Sequence, residues 1–181
     1  MAHKQQNAPG DLEAVRAFVN TVDLEDGAEE LSDPPSLVRW LADHELIEPG
    51  TEATKADVRN AIAVREALRR QLLANNGADV DAASVDTLRA AARRARIGLD
   101  FRADGTHLEP QAGGVDGALG RLLGRVHAAQ HDDTWARLKA CPWHTCHYAF
   151  YDHTKNRSGV WCTMEVCGNR AKAKAYRERH G

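Results

Sequence analysis

Apolar residues recur at steps of three and four along most of the chain, a pattern that predicts amphipathic helices. The broadest apolar face runs over residues 54–75 and is followed by Asn-Asn-Gly, which indicates a left-handed helix end. Asp33-Pro34-Pro35 marks another helix start, because aspartate caps a helix and proline suits its first turn. Shorter apolar stripes predict three further helices, over about residues 11–21, 81–95 and 115–132.

Between the last two of these helices the apolar period changes from helical to alternating. Residues 97–101 alternate apolar and other side chains, which predicts a strand with one buried face. Ala103-Asp104-Gly105 fits a tight turn, and residues 106–109 return as a second strand that ends at Pro110. The predicted fold class of this N-terminal domain is therefore mainly α with a small β-hairpin, an α+β arrangement.

Polar positions in the same domain give weaker signals. Asn20 fits either a structural amide at a helix end or a contact in a ligand pocket. Residues 23–32 form an acidic connector, predicted to be a solvated loop. The arginines of residues 89–96 could line an anion pocket or pair with that connector, and pairing is favoured. Four arginines of the longest helix are predicted to be solvated: Arg59, Arg65, Arg69 and Arg70.

All four cysteines lie near the end of the chain, in two C-x4-C pairs separated by 15 residues: Cys141, Cys146, Cys162 and Cys167. Four thiolates in two short loops can bind one Zn²⁺ tetrahedrally, and such a set leaves no open position for catalysis. Structural zinc is therefore the favoured interpretation. Disulfides and a redox thiol are the alternatives. A histidine, namely His144, His147 or His153, could also replace one cysteine as a ligand.

The segments around the cysteines predict one architecture. Residues 148–151 and 160–161 are short β-prone runs, and residues 155–159 between them are a polar turn. The segment after Cys167 is rich in good helix formers. A cysteine loop, a hairpin, and a second cysteine pair leading into a helix predict a treble-clef-like four-cysteine zinc finger.

At its C-terminal end the chain resembles the CGNR zinc-finger proteins, which carry an N-terminal ABATE-type domain and are described as stress-induced transcription regulators. The resemblance rests on Cys141, Cys146, the run Trp161-Cys162-Thr163-Met164, the motif Cys167-Gly168-Asn169-Arg170 and the basic tail. Phe18-Val19-Asn20-Thr21 and the Leu31…Trp40-Leu41 segment extend it to the N-terminal domain. The first cysteine loop departs from the family, since it carries Trp143, His144 and His147.

The resemblance and the element pattern together predict three segments. Residues 1–10 are a polar, disordered N-terminus, residues 11–134 an α-rich ABATE-like domain, and residues 135–181 a CGNR-type zinc finger. What the resemblance implies for the middle segment is a domain that senses a small-molecule ligand or mediates dimerisation. A finger of this size is also compatible with a homodimer that reads two half-sites.

The net charge of −2 conceals an asymmetry between the two parts of the chain. From Arg137 onward nine Lys/Arg stand against three acids, which gives +6, whereas the remainder carries −8. Four thiolates on Zn²⁺ would lower the first figure to about +4. A basic module joined to an acidic one indicates a polyanion as the partner of the basic part.

The predicted contacts lie on the last helix and on the turn before the second cysteine pair. At 100° per residue Arg170, Lys174 and Arg177 share one stripe, and interleaved alanines keep the helix slim. The candidate nucleic-acid-binding residues are Lys155, Arg157, Asn169, Arg170, Lys172, Lys174 and Arg177. DNA is the favoured partner. RNA binding, or a zinc-stabilised module that docks on an acidic protein, are the alternatives.

Other function classes find less support in the sequence. No apolar run reaches the length of a membrane span, and residues 1–10 lack the apolar stretch of a signal peptide. We therefore expect a cytoplasmic protein, nucleoid-associated if it binds DNA. Paired carboxylates, a nucleophile motif and a phosphate loop are all missing, so we do not expect an enzyme.

Overall fold

The computed structural model describes residues 7–180. The described part contains six α-helices, two short hairpins and two single turns of other helix types. The helices are α1 (Leu12–Val19), α2 (Pro34–Asp43), α3 (Lys55–Ala74), α4 (Ala82–Ala95), α5 (Gly114–His131) and α6 (Asn169–His180). The strands are β1 (Ile97–Arg102), β2 (Gly105–Pro110), β3 (Leu138–Ala140) and β4 (Ala149–Tyr151). A 3₁₀ turn spans Trp135–Arg137, and a π-helical turn spans Met164–Gly168. The predicted fold class is thus confirmed.

The helix starts follow from the capping residues that the sequence shows. The Asp33 carboxylate accepts a hydrogen bond of 2.8 Å from the backbone N–H of Ser36. At the start of α3, Thr54 and Asp57 bond each other's backbone N–H groups in a capping box. These local bonds fix where α2 and α3 begin and hence which faces turn inward.

Helix α3 is the centre of the molecule and packs against α1, α2, α4, α5 and strand β3. Fully buried side chains from these helices form the main core: Phe18, Leu37, Leu41, Val64, Leu68, Leu72, Leu119 and Leu122. The same core continues into the β3–β4 hairpin through Leu138, Ala140, Ala149 and Tyr151. The first part of the predicted finger segment is therefore packed within the helical core.

Two arginines of α3 lie inside this core, so the prediction of solvated side chains was wrong for them. Arg65 and Arg69 are each 3 % exposed, whereas Arg70 is exposed. At 100° per residue, positions 65 and 69 fall within the stripe formed by Val58 and Leu72. Their burial is compatible with the core because each guanidinium is paired and hydrogen-bonded.

The acidic connector supplies one of those partners. Glu29 holds Arg65 by two hydrogen bonds of 2.6 and 2.8 Å. The connector was predicted to be a solvated loop without a partner, and for the arginines of α4 pairing with the connector was the favoured interpretation. Instead those arginines use nearer partners: Arg89 pairs with Asp86 and Arg94 with Asp116.

The β1–β2 hairpin has the predicted strands but not the predicted buried face. Leu99 is 63 % exposed and Phe101 is 78 % exposed, although they alternate as expected. Strand β2 packs along α5, with Pro110 against Gly120 and the carbonyl of Leu108 near Gly124. Leu99 and Phe101 lie on the other strand, β1, and no element among the described residues covers them.

The second hairpin also differs from the prediction, which placed it between the cysteine pairs. Strand β4 pairs with β3 in antiparallel register, with Lys139 opposite Phe150. The hairpin therefore encloses the first cysteine pair, and residues 160–161 are not a strand. The reason is that β3, buried at all three positions against the core, supplies the partner strand.

At the N-terminus, disorder was predicted for residues 1–10. Residues 1–6 of that segment lie outside the described residues. Within the described part, Ala8 is 7 % exposed and donates its backbone N–H to the Glu13 carboxylate at 2.7 Å. Residues 7–10 therefore pack against α1. No helix among residues 7–180 is long and apolar enough to cross a bilayer.

Candidate metal centre and nucleic-acid interface

The β3–β4 hairpin places the first cysteine pair. Cys141 follows β3 directly and donates its backbone N–H to the carbonyl of Tyr148 at 3.0 Å. The loop then turns back, with the N–H of Cys146 bonded to the carbonyl of Trp143 at 2.9 Å. His147 closes the turn at a positive φ of 46°. This compact loop directs both sulfurs to the same side.

The second cysteine pair precedes α6. The Thr163 hydroxyl accepts from the backbone N–H of Val166 and starts the π-helical turn that carries Cys167. At Gly168 a side-chain carbon would lie 2.7 Å from Sδ of Met164 and 3.3 Å from the Trp161 ring, so the turn packs closely against both side chains. The Asn169 side-chain amide donates to the carbonyl of Glu165 at 3.0 Å and ties α6 to the turn.

The four sulfurs form one buried cluster. All lie within 4.8 Å of one another, with 3.5 Å between Cys146 and Cys162 and 3.6 Å between Cys162 and Cys167. A tetrahedron of sulfurs about 2.3 Å from zinc has edges of about 3.8 Å, so the cluster has the size that one zinc ion needs. A disulfide would require about 2.05 Å, so the disulfide alternative is excluded.

The electrostatics of the cluster also favour a bound zinc ion. The hydrogen bond between Cys141 and Cys146 lowers the pKa of the Cys141 thiol and raises the pKa of the Cys146 thiol. Burial raises the pKa of Cys167 as well. Four adjacent thiolates repel one another strongly, and a divalent cation removes that repulsion because it binds every sulfur in its ionised form.

Histidine ligands are not part of this arrangement. Within residues 7–180, the metal-binding cluster consists of the four cysteines alone. His153 donates a hydrogen bond from Nε2 to the carbonyl of Asn7, and His144 is exposed beside Trp143. The donor set is therefore all sulfur, and the four cysteines can hold one zinc ion.

The structure separates the predicted nucleic-acid contacts into two groups. No residue of α6 is buried, and Lys172, Lys174 and Arg177 are exposed along it. Lys155 and Arg157 are exposed on the loop after β4. The two groups lie on opposite sides of the second cysteine pair in the sequence.

Arg170, the last residue of the motif, is half-buried and has an acidic partner. Its guanidinium forms an ion pair with Glu25, at the tip of the acidic connector. The Asp23 carboxylate accepts the backbone N–H groups of Glu25 and Asp26 and so fixes this tip. The connector thus reaches both the core, through Glu29, and the finger, through Glu25.

Asn20, the weak ligand-site candidate, has a structural role in the described residues. Its side-chain oxygen accepts the N–H of Ala149 at 2.7 Å, and its side-chain nitrogen donates to the carbonyl of the same residue at 2.9 Å. The amide therefore pairs with β4 as a neighbouring strand would. These hydrogen bonds agree with the structural interpretation of Asn20, and a ligand contact at Asn20 stays a prediction.

Three residues support the site in ways that the sequence did not predict, namely Arg69, Lys139 and Asp152. Arg69 donates to the carbonyls of His147 and Val19, at 2.9 and 2.6 Å, and so bonds the first cysteine loop to α1. Buried Lys139 pairs with Asp152 at 2.8 Å. The helical position of Arg69 was a usable signal, whereas the Lys139–Asp152 pair depends on the β3–β4 register, which the sequence did not predict.

Asp152 organises the loop between the cysteine pairs. Burial raises its pKa, but hydrogen bonds from Lys139, Thr154 and the backbone of Gly159 prevail and lower it to about 2. The Lys139 ammonium also donates to the carbonyls of Arg157 and Gly159. Lys139 is therefore a structural cation, not a surface charge.

Comparison with known protein families agrees with this architecture. The ABATE family model, described as "Putative stress-induced transcription regulator", matches residues 12–138. A second model, described as "CGNR zinc finger", matches residues 137–180. The curated proteins include no match to the chain. Since the first match covers well over half of the sequence, the chain belongs to the ABATE family and ends in a CGNR zinc finger.

Proposed function

We propose that this chain is a DNA-binding transcription regulator in which one zinc ion, held by the four cysteines, presents helix α6 to the phosphate backbone. The ligands are Cys141, Cys146, Cys162 and Cys167. Four thiolates leave no open coordination position, so the zinc has a structural role. Such a regulator would act in the cytoplasm, at the nucleoid.

The observation that carries the proposal is the exposure of a cationic helix. Helix α6 has five Lys/Arg and one glutamate, and none of its residues is buried. An isolated helix of this length is marginal in water, so the zinc-bound turn at its start would stabilise it. Positive charge on a protruding, slim helix is what binding in a DNA groove requires.

The roles of individual cations follow from their positions. Lys174 and Arg177 lie on one stripe of α6, and both are exposed, so they would contact phosphates. Lys172 would contact the backbone from another side of the helix. Lys155 and Arg157, on the loop held by Asp152, would add phosphate contacts. Asn169 and Arg170 are nearest the finger and would meet base edges once Arg170 leaves Glu25.

For the N-terminal domain, which matches a family described as a transcription regulator, we propose ligand sensing or dimerisation. Two contacts support a link between this domain and the finger. Asn20 bonds strand β4, and Arg69 bonds the first cysteine loop. A change in the position of α1 or α3 would therefore displace the zinc loop.

Titration of a labelled random-sequence DNA duplex at several salt concentrations tests the proposal. If about four phosphates are neutralised, the logarithm of affinity should fall with the logarithm of salt concentration with a slope near −3.6. Selection of bound fragments from random DNA then identifies a preferred sequence. Absence of binding at moderate salt would overturn the proposal and favour a protein-interaction module. Tighter binding of an equivalent RNA would favour the RNA alternative.

A further inference from the structure

A slot of about 350 Å³ lies between the first cysteine loop and helix α6. Its volume is at the lower end of ligand-binding pockets, which suits a single ring system. Aromatic residues line it from the finger, and small residues line it from the helix. The lining residues used below are Trp143, His144, Trp161, Ala171, Lys174 and Ala175.

The aromatic side of the slot packs on the cysteine cluster. Trp143 and Trp161 are half-buried and pack against the cysteine cluster. The Trp143 carbonyl accepts the N–H of Cys146, and its ring lies 4.9 Å from the ring of His144. Next to Trp161, the carbonyl of Val160 accepts a 2.7 Å hydrogen bond from Asn76 of the N-terminal domain. Both indoles are therefore positioned without a ligand.

The helical side of the slot leaves room because its residues are small. Ala171 and Ala175 are one turn apart on the face of α6 that lines the slot. A larger side chain at either position would occupy the space between the helix and the indoles. The volume of the slot thus depends on two alanines in an otherwise highly charged helix.

A cation stands beside the aromatic rings. Lys174 also lines the slot, its side chain is 58 % exposed, and its partner Glu178 is 3.9 Å away. Such a weak surface pair leaves the ammonium group available to a phosphate. Aromatic rings next to an available cation are the combination that binds a base together with its own backbone.

We propose that this slot binds one unpaired nucleobase of the DNA that α6 contacts, with the base stacked on Trp143 or Trp161 and its phosphate near Lys174. The proposal rests on the proposed function and deepens it, since it names the DNA structure that the site prefers. A paired base would first have to leave the stack, so an already unpaired base binds at lower cost. A stacking site accepts any base, because every base has a π-face.

The test compares two labelled DNA duplexes of one sequence by fluorescence anisotropy. One duplex is fully paired, and the other carries a single unpaired adenine. The zinc-loaded full chain should bind the second duplex about fivefold to 100-fold more tightly, the range expected for one stacked base. Tryptophan fluorescence should also be quenched more strongly by the second duplex.

A matched pair of variants locates the effect. Ala175→Leu fills the slot, whereas Ala173→Leu adds the same side chain about 160° away around the helix. Zinc content should be unchanged in both. Ala175→Leu should bind the two duplexes equally, and Ala173→Leu should retain the preference. Trp143→Ala should also lose the preference.

The outcomes separate this inference from the proposed function. Salt-dependent binding with no preference for the unpaired base, or a preference that survives Ala175→Leu, would overturn the inference and leave the proposed function standing. If neither duplex binds, the proposed function fails. Base binding in the slot is then tested separately with a single-stranded oligonucleotide. Tryptophan quenching that Ala175→Leu abolishes would support base binding in the slot, and absence of quenching would overturn it.

Discussion

The guanidinium of Arg69, buried in helix α3, donates a 2.9 Å hydrogen bond to the carbonyl of His147, the residue after Cys146. A second hydrogen bond of 2.6 Å reaches the carbonyl of Val19 at the end of α1. One side chain of the N-terminal domain therefore satisfies two backbone carbonyls, one of them in the cysteine loop. The integrity of that loop depends on a residue far from it in the sequence.

Replacing Arg69 by methionine should destabilise the protein by about 3 kcal/mol, because two carbonyl groups lose their donor and Glu66 loses one of its two arginine partners. Zinc affinity should fall as well, since the first loop is no longer held. Urea unfolding in excess zinc and competition with a chelator measure the two effects. Arg70→Met is the matched control, because Arg70 is exposed. Equal loss in both variants would contradict the assigned role.

Asp152→Asn should cost about 3 kcal/mol at neutral pH, because Lys139 is left buried without its counter-charge. The pKa of Asp152 is lowered from 3.8 to about 2, so its contribution is complete above pH 4 and is lost as the pH falls through about 2. The stability difference between wild type and variant should therefore shrink between pH 4 and pH 2. Since acid also releases zinc, only this difference is informative. A difference that does not change with pH would refute the assignment.

Glu25→Gln should strengthen DNA binding by about twofold to fivefold, because Arg170 no longer has a competing carboxylate. The effect is small because the ion pair is partly exposed. Asp26→Asn removes the same charge one position further along the connector and serves as the control. Anisotropy titrations of both variants at one salt concentration distinguish a specific contact from a general change in charge. An equal gain in the two variants would indicate the general effect.

One zinc ion per chain is expected from elemental analysis of the purified protein. Cys162→Ser should abolish stoichiometric zinc, because its sulfur is fully buried within the cluster. Helix α6 should then unfold, whereas most of the helical circular dichroism should remain because α1–α5 form their own core. Iron in place of zinc, or full zinc content in the variant, would contradict the site.

Arg170→Ala combined with Lys174→Ala should weaken DNA binding without loss of zinc. The salt slope should flatten by about 0.9 for each phosphate contact that is lost. Arg89→Ala with Arg93→Ala removes two exposed charges from α4 and is the matched control. If the control weakens binding as much as the α6 variant, the interface is not on α6.

The features that were predictable from the sequence depend on local signals. Caps such as Asp33 and Thr54, and the steps of three and four between apolar residues, placed α1–α5 to within a few residues. The spacing of the cysteines predicted the sulfur cluster, because metal ligation requires only that two short loops converge. Nothing in these signals depends on a distant part of the chain.

The features that were missed depend on contacts distant in sequence. The prediction paired strand β4 with residues 160–161, because a short strand is compatible with several partners. In the structure β4 pairs with β3, which is packed against the core. The alternation of residues 97–101 showed which side chains share a face but not whether another element covers it. The Glu25–Arg170 pair joins residues 145 positions apart, beyond the reach of any motif. The burial of Arg65 and Arg69, in contrast, was predictable from the sequence, since both positions fall on the apolar face of α3.

The shared packing of the β3–β4 hairpin has a consequence for engineering. Leu138, Ala140, Ala149 and Tyr151 face the helices, not the metal. If the finger were excised, an apolar face would be exposed to solvent on both fragments. The finger is therefore not an independent module like the fingers of a tandem array. Grafting it onto another scaffold would require transplanting the helix surface beneath it as well.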